Sequence, residues 1–374
     1  MRFTLFYHSL ASCWNHGNAH FLRGIVRELV ARGHEVDLYE PQEGWSRTNA
    51  LADGGVDSLA EAAGLVPGVT THFYAQGQID LARATEGADV VIAHEWNEPS
   101  LIADLGRLRA EGRPFTLLFH DTHHRAVTAP HEIGRFDLSA YDGALVFGEV
   151  LRDVYRRNDW ANRTFTWHEA ADVAIFHPPA RRQPDLDLIW IGNWGDDERD
   201  GELREFLLDP VANLGLRARI HGVRYPEAIK AELARRGIDY AGWLPNHRAP
   251  LAFARARVTV HVPRRPYATA LPGIPTIRVF EALACGIPLV SAPWEDAEGL
   301  FPPGCYLQAR DGAAMERALR DVLHDEAMAE DMTDKGLAAI RARHTCAHRV
   351  EELLNILREL GASAAPRQAK ALAS

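Results

Sequence analysis

The chain has 374 residues, 47% hydrophobic and 25% charged. That length suits two domains whose cores need no disulfide or metal staple, and the composition excludes a largely disordered chain. Against 51 acidic residues stand 41 basic ones, a formal charge of -10, which argues against generic binding to nucleic acid or anionic membrane.

Cys13, Cys285, Cys305 and Cys346 are scattered without CxxC spacing. They read as free thiols in a reducing compartment. No apolar run approaches the roughly 18 residues of a membrane span. His8 and His16 fall where a signal peptide would stay apolar. The expected location is cytoplasmic. Lysine occurs only at Lys230, Lys335 and Lys370, none beside a cofactor motif, which disfavours Schiff-base chemistry.

The first forty residues read as strand, loop, helix, strand. Residues 2–8 (RFTLFYH) are a short apolar run of buried-strand type. A polar loop with Asn15, Gly17 and Asn18 follows. Phe21, Leu22, Ile25, Val26, Leu29 and Val30 then make one apolar helix face. Gly33 ends that helix, and residues 34–40 resume a strand. Between 41 and 80 the periodicity gives out. Residues 88–94, 114–120 and 143–147 are further strand candidates, with helices at 99–109 and 150–157. Such alternation predicts a parallel sheet covered on both faces.

Residues 176–184 (FHPPARRQP) lack periodicity and predict an interdomain linker. The N-terminal domain is then 1–178 and the C-terminal domain 179–360. Strands are predicted at 186–192, 218–221, 238–243, 257–262 and 288–291, with a clear helix at 277–284. Helices at 313–324, 327–343 and 346–360 close the chain, followed by a tail, 361–374, expected to be frayed. Ligands of such sheets bind beyond the carboxyl ends of the strands. Two sheets face to face therefore predict a cleft with a donor and an acceptor side.

Residues 272–291 (PGIPTIRVFEALACGIPLVS) carry the strongest motif. A Pro/Gly loop feeds a helix N-terminus, whose free N–H groups suit a phosphate. Arg278 in the first turn is placed to clamp a diphosphate. Glu281, one turn on, is placed to accept two ribose hydroxyls.

The run RVFEALACG followed by PLVS resembles the donor-site signature of GT-B glycosyltransferases, nearest to the CgeB/spore-maturation-like branch of the group 4-like enzymes. Gly17 with its following helix resembles the N-terminal glycine loop. ADVVIAHEW, DVAIFHP and IGNWGDDER resemble further family segments in the family's order. One departure stands out: Gly273 occupies the position where retaining members carry a Glu that contacts the transferred sugar, which leaves the stereochemistry open.

The resemblance implies two Rossmann-like parallel-sheet domains facing across a cleft, with the last helix crossing back to the N-terminal domain. It implies metal-independent transfer from a nucleotide-diphosphate sugar, UDP by default, to a hydroxyl acceptor, with domain closure. No cofactor beyond that co-substrate is expected. The expected acceptor is a hydroxyl of a glycan, a lipid-linked or a small molecule. Gly17, Asn193, Trp194, Arg199, Arg264, Thr276, Ile277, Arg278 and Glu281 are expected at the ribose and diphosphate, and Gly242, Trp243 and Leu244 near the base.

His94, at a strand end, is expected near the sugar or acceptor. The cluster HDTHH (120–124) has three readings: a general base, His120 or Asp121; a metal site; or acceptor-shaping structure. An extended chain would point His123 and His124 to opposite sides, which counts against the metal. His168 and Glu169 are expected on the cleft floor. A UDP-sugar 2-epimerase and a catalytically silent GT-B scaffold are the alternatives.

Overall fold

Apolar runs form the central strands of two sheets. A computed structural model describes residues 1–180 and 183–362. Residues 181–182 of the expected linker and 363–374 of the expected tail lie outside the described residues. The first sheet contains β1 (Arg2–Phe6), β2 (Glu35–Pro41), β3 (Thr70–Tyr74), β4 (Val90–His94), β5 (Thr116–Asp121), β6 (Gly143–Val146) and β7 (Thr164–Thr166). Their order is β3-β2-β1-β4-β5-β6-β7, and every pairing is parallel.

The second sheet contains β8 (Leu186–Ile191), β9 (Ala218–His221), β10 (Asp239–Tyr240), β11 (Ala256–His261), β12 (Leu289–Ser291) and β13 (Leu307–Gln308). Its order is β10-β9-β8-β11-β12-β13, again all parallel. Every residue of β4 and β5 is buried, as helices on both faces require.

The structure adds β3, β7 and β13 to the strands expected from sequence. All three are edge strands. Each has one neighbour, so none needs the continuous apolar run that marks a central strand. The stretch 41–80 also holds a helix, Trp45–Gly64, broken at Gly55, whose φ is 65°. The Gly54-Gly55 pair interrupts the helical period, which is why that helix escaped sequence reading.

Register aligns the site. Phe6 of β1 sits beside Ala93 of β4, and His94 of β4 beside His120 of β5. Residues just past these strands therefore meet at one edge of the sheet.

The last helix, Cys346–Glu359, packs against the first, Ala19–Ala31. Thr345 and His348 form a capping box at its start. The Trp167 indole N–H donates to the Arg349 carbonyl at 2.8 Å. Backbone bonds join Ala171 to His344 and Cys346. One apolar cluster runs through Phe21, Trp167 and Phe176 to Phe280, Val350 and Leu353. The halves thus share a core behind the cleft. Leu353 is fully buried in it. Leu353→Ala should cost about 2–5 kcal/mol of unfolding free energy, read as a lower urea midpoint; a change below about 1 kcal/mol would mean that this helix is not docked.

Candidate functional site

A cleft of about 330 Å³ opens between the carboxyl ends of the two sheets. It is lined by Gly17, Glu169, Asn193, Arg199, Trp243, Leu244, Arg264, Thr276, Ile277 and Arg278, all expected from sequence. His94, His120, Asp121, His168, Trp194, Gly242 and Glu281 do not line it.

The C-terminal wall is built around the helix Ile277–Ala284. Thr276 occupies the position before its first turn without bonding the helix N–H groups, and its hydroxyl instead hydrogen-bonds His261 Nε2 at 3.0 Å. His261 Nδ1 meets Ser291 Oγ at 2.8 Å. Burial drops this imidazole to about 3, so it is a neutral strut between β11, β12 and the helix start.

Glu281 is wholly buried one turn along. Its carboxylate accepts from Asn246 Nδ2 at 2.9 Å, contacts His20 Nδ1 at 2.7 Å and pairs with Arg278. Burial pushes this carboxyl up, but Arg278, His20 and Asn246 together hold it below the usual range. Glu281 thus lies behind Arg278 and Asn246, which face the cleft themselves.

Arg199 is the electrostatic feature of this wall. It is 8% exposed and donates to three carbonyls: Asn193, Val262 at 2.9 Å and Trp194 at 3.4 Å. None of these bonds ends on a carboxylate. Burial, then the neighbouring Arg264 and Arg278, lower its guanidinium to about 10. Arg264 is paired with Glu198 at 2.7 Å.

Trp194 lies in the apolar core against Tyr225, so it supports Arg199 through its carbonyl only. Gly242, at φ 69°, accepts the Gly222 N–H and shapes the turn below Trp243. Gly273 adopts φ 88°, and a Cβ there would meet Glu298 Cγ at 2.6 Å. That position therefore has no room for a side chain.

On the N-terminal side, the expected bases sit behind the cleft. His94 and His120 are fully buried, and burial carries both imidazoles far below their ordinary value. Asp121 is fully buried too. Its oxygens accept from the Tyr155 hydroxyl at 2.7 Å and the His123 N–H at 3.0 Å. Neither His120 nor Asp121 lines the cleft. His168 turns away to pair with Glu298 at 2.6 Å and lines a different cavity. Glu169 does line the cleft; burial first, then Glu281, raise its carboxyl well above the usual range.

Residues 122–124 form a turn, not an extended segment. The His123 and His124 rings therefore lie 4.0 Å apart and both face the cleft. Among the described residues no three His, Cys, Asp or Glu side chains are placed to hold a metal ion.

Sequence reasoning missed His8, Asn15, His16, Trp45, Trp96, Asn246 and Tyr267, which also line the cleft. They come from loops and from the starts of short or broken helices, none with a local motif. The one available signal was strand position: His8 and Trp96 closely follow the apolar runs of β1 and β4.

Burial raises the Asp121 carboxyl to about 6, against the opposing His123 and Tyr155 bonds. The native state then binds more protons than the unfolded chain between about pH 4 and 6, so stability falls as pH rises through that window. Asp121→Asn removes this contribution. The urea midpoint of the variant should gain on the parent protein between about pH 4 and pH 7; a gap independent of pH would contradict the raised value.

Residues 199–355 match a family model described as glycosyl transferase-like. No curated protein matches the chain by sequence. Among solved structures, sucrose-phosphate synthase from Thermosynechococcus elongatus is 15% identical at TM-score 0.67, over 97% of this chain and 99% of that one. HepE from Anabaena, in complex with UDP-glucose, is 14% identical at TM-score 0.64, over 96% and 100% respectively. An alpha-glucosyltransferase in complex with UDP is 11% identical at TM-score 0.66, over 96% and 100%. The chain has the GT-B fold, two Rossmann-like parallel-sheet domains facing each other across a cleft.

Proposed function

We propose that the chain is a glycosyltransferase that moves a sugar from a UDP-sugar to a hydroxyl acceptor. The observation that carries this reading is Arg199, a buried guanidinium on the cleft wall whose hydrogen bonds all go to carbonyls. A buried cation without a carboxylate is costly. A diphosphate supplies the missing charge, with Arg264 and Arg278 beside it and the N-terminus of Ile277–Ala284 facing it.

The glycosyl transferase-like match over 199–355 covers this wall and supports the reading. UDP and UDP-glucose in complexes of proteins with the same fold support uridine as the base. The motif RVFEALACG keeps the CgeB-like branch as the finer assignment.

In the transfer step the bond between the anomeric carbon and the phosphate oxygen breaks. The acceptor oxygen bonds to that carbon and gives up its proton, and the diphosphate leaves carrying the electron pair. Arg199, Arg264 and Arg278 would stabilise that leaving group, the task a metal performs in other folds, so the proposed reaction is metal-independent. Closure of the two walls would exclude water from the sugar.

A thermal-shift panel of UDP, GDP, TDP and ADP tests the donor. UDP at a hundred times its dissociation constant should add about 2.7 kcal/mol of stability and raise the melting temperature. No shift with any of them at millimolar concentration would favour the silent scaffold instead. Arg199→Met should weaken UDP by about 1.5–3 kcal/mol, the loss of charge-assisted hydrogen bonds. Calorimetry showing unchanged affinity in that variant would remove Arg199 from the site.

A further inference from the structure

Opposite the arginines, the N-terminal wall has a different chemistry. His8 follows β1, lines the cleft and is 7% exposed, yet neither ring nitrogen has a hydrogen-bond partner. Its ring lies between two indoles, Trp45 at 5.9 Å and nearly parallel, and Trp96 at 5.7 Å and tilted by 49°. His16 packs on it at 4.3 Å and also leaves Nε2 unpartnered.

Nine tryptophans occur in the chain. Trp45 and Trp96 are the two that are exposed, at 39% and 36%. Both are held in place. Trp14 packs edge-on against Trp45 and is itself tied to Asp53 at 2.6 Å. The Arg125 guanidinium covers one face of Trp96 at 3.9 Å, and His123 meets its ring at 5.2 Å. Fixed indoles open to a cleft, beside buried imidazole nitrogens without partners, are arranged for a ligand with both an apolar face and polar groups on its rim.

We infer that His8, Trp45 and Trp96 form the acceptor subsite, and that the acceptor is a neutral sugar ring. Its C–H face lies on an indole, whose π-face is negative and attracts C–H groups, and a ring hydroxyl bonds to His8. Three observations select this class. A lipid tail would cover the His8 nitrogens and leave them unsatisfied. Arg125, the cation lying on Trp96, is already shared by Glu95 and Glu132, so it does not await an acidic acceptor. Trp45 is nearly parallel to the imidazole while Trp96 is tilted to it, so the aromatic planes do not form a flat slot, which suits a puckered ring with hydroxyls on its edge. The inference rests on the donor reading for the word acceptor; the sugar-binding surface itself does not.

Saturation-transfer NMR on the full chain, with and without UDP, tests it. The probes are methyl glycosides of neutral hexoses, glucuronate, uridine, adenosine and phosphatidylcholine vesicles. Transfer to the ring protons of at least one neutral glycoside is expected. Trp45→Ala and Trp96→Ala should each weaken that glycoside by about tenfold, Trp96→Phe should recover most of it, and His8→Gln should reduce it. The UDP thermal shift should be the same in these variants as in the parent protein, which shows that they are folded. Binding confined to glucuronate, nucleosides or vesicles overturns the inference. So does binding of no neutral glycoside, or glycoside binding unchanged in both alanine variants. A missing UDP shift in the parent protein defeats the donor reading alone, since glycoside binding without UDP still reports on the wall.

Discussion

A carboxylate with no access to water sets the arrangement of the two halves. Glu281 is fully buried, and its partners come from separate segments: Arg278 on its own helix, Asn246 after β10, and His20 on the first helix of the N-terminal domain. Leaving any one out would strand part of a buried charge. The first helix must therefore approach the helix Ile277–Ala284 closely. Gly17 stands at that approach, where a Cβ would lie 3.0 Å from Ile277. The loop before it is pinned in consequence: Asn15 bonds Asn193, and Cys13 Sγ accepts the Asn246 N–H. The floor of the cleft is thus a by-product of satisfying one ion.

The cations of the C-terminal wall are deliberately uneven. Arg278 is taken by Glu281 and Arg264 by Glu198. Arg199 has carbonyls only, and its two neighbours make its charge harder to hold. The free protein bears that electrostatic cost, which the proposed diphosphate would relieve. Preorganised charge of this kind needs no rearrangement at the moment of reaction. Arg199 accordingly sits on Trp190 and donates to carbonyls instead of reaching solvent.

Legibility followed locality. The central strands were visible because burial on both faces demands apolar runs, and β3, β7 and β13 were not, because each is an edge strand. The C-terminal wall was legible at residues 272–291, where loop, helix start and cleft-lining side chains are consecutive. The opposite wall was not. His8, Trp45 and Trp96 belong to three segments that only the β3-β2-β1-β4 order of the sheet brings together. Strand ends marked the edge at which the cleft opens, but not which residue faces it: His94 and His120 lie near their strand ends inside the core, while His8, beyond the end of β1, reaches the cleft.

The buried imidazoles behind that wall share one constraint. His94 lies within 5.5 Å of both His8 and His120, and His16 packs on His8 at 4.3 Å. Burial lowers all four, and a proton on one would repel a proton on the next. They form an uncharged polar layer. The carboxyls behind it, Asp121 and Glu95, are both raised by burial and are bonded by Tyr155 and Arg125. A wall built this way presents hydrogen-bonding nitrogens without presenting charge, and it faces a wall that presents charge. The cleft is divided accordingly: arginines gather on one side, where the proposed diphosphate would sit, and neutral imidazoles and indoles on the other, where the proposed uncharged, hydroxyl-bearing ligand would sit.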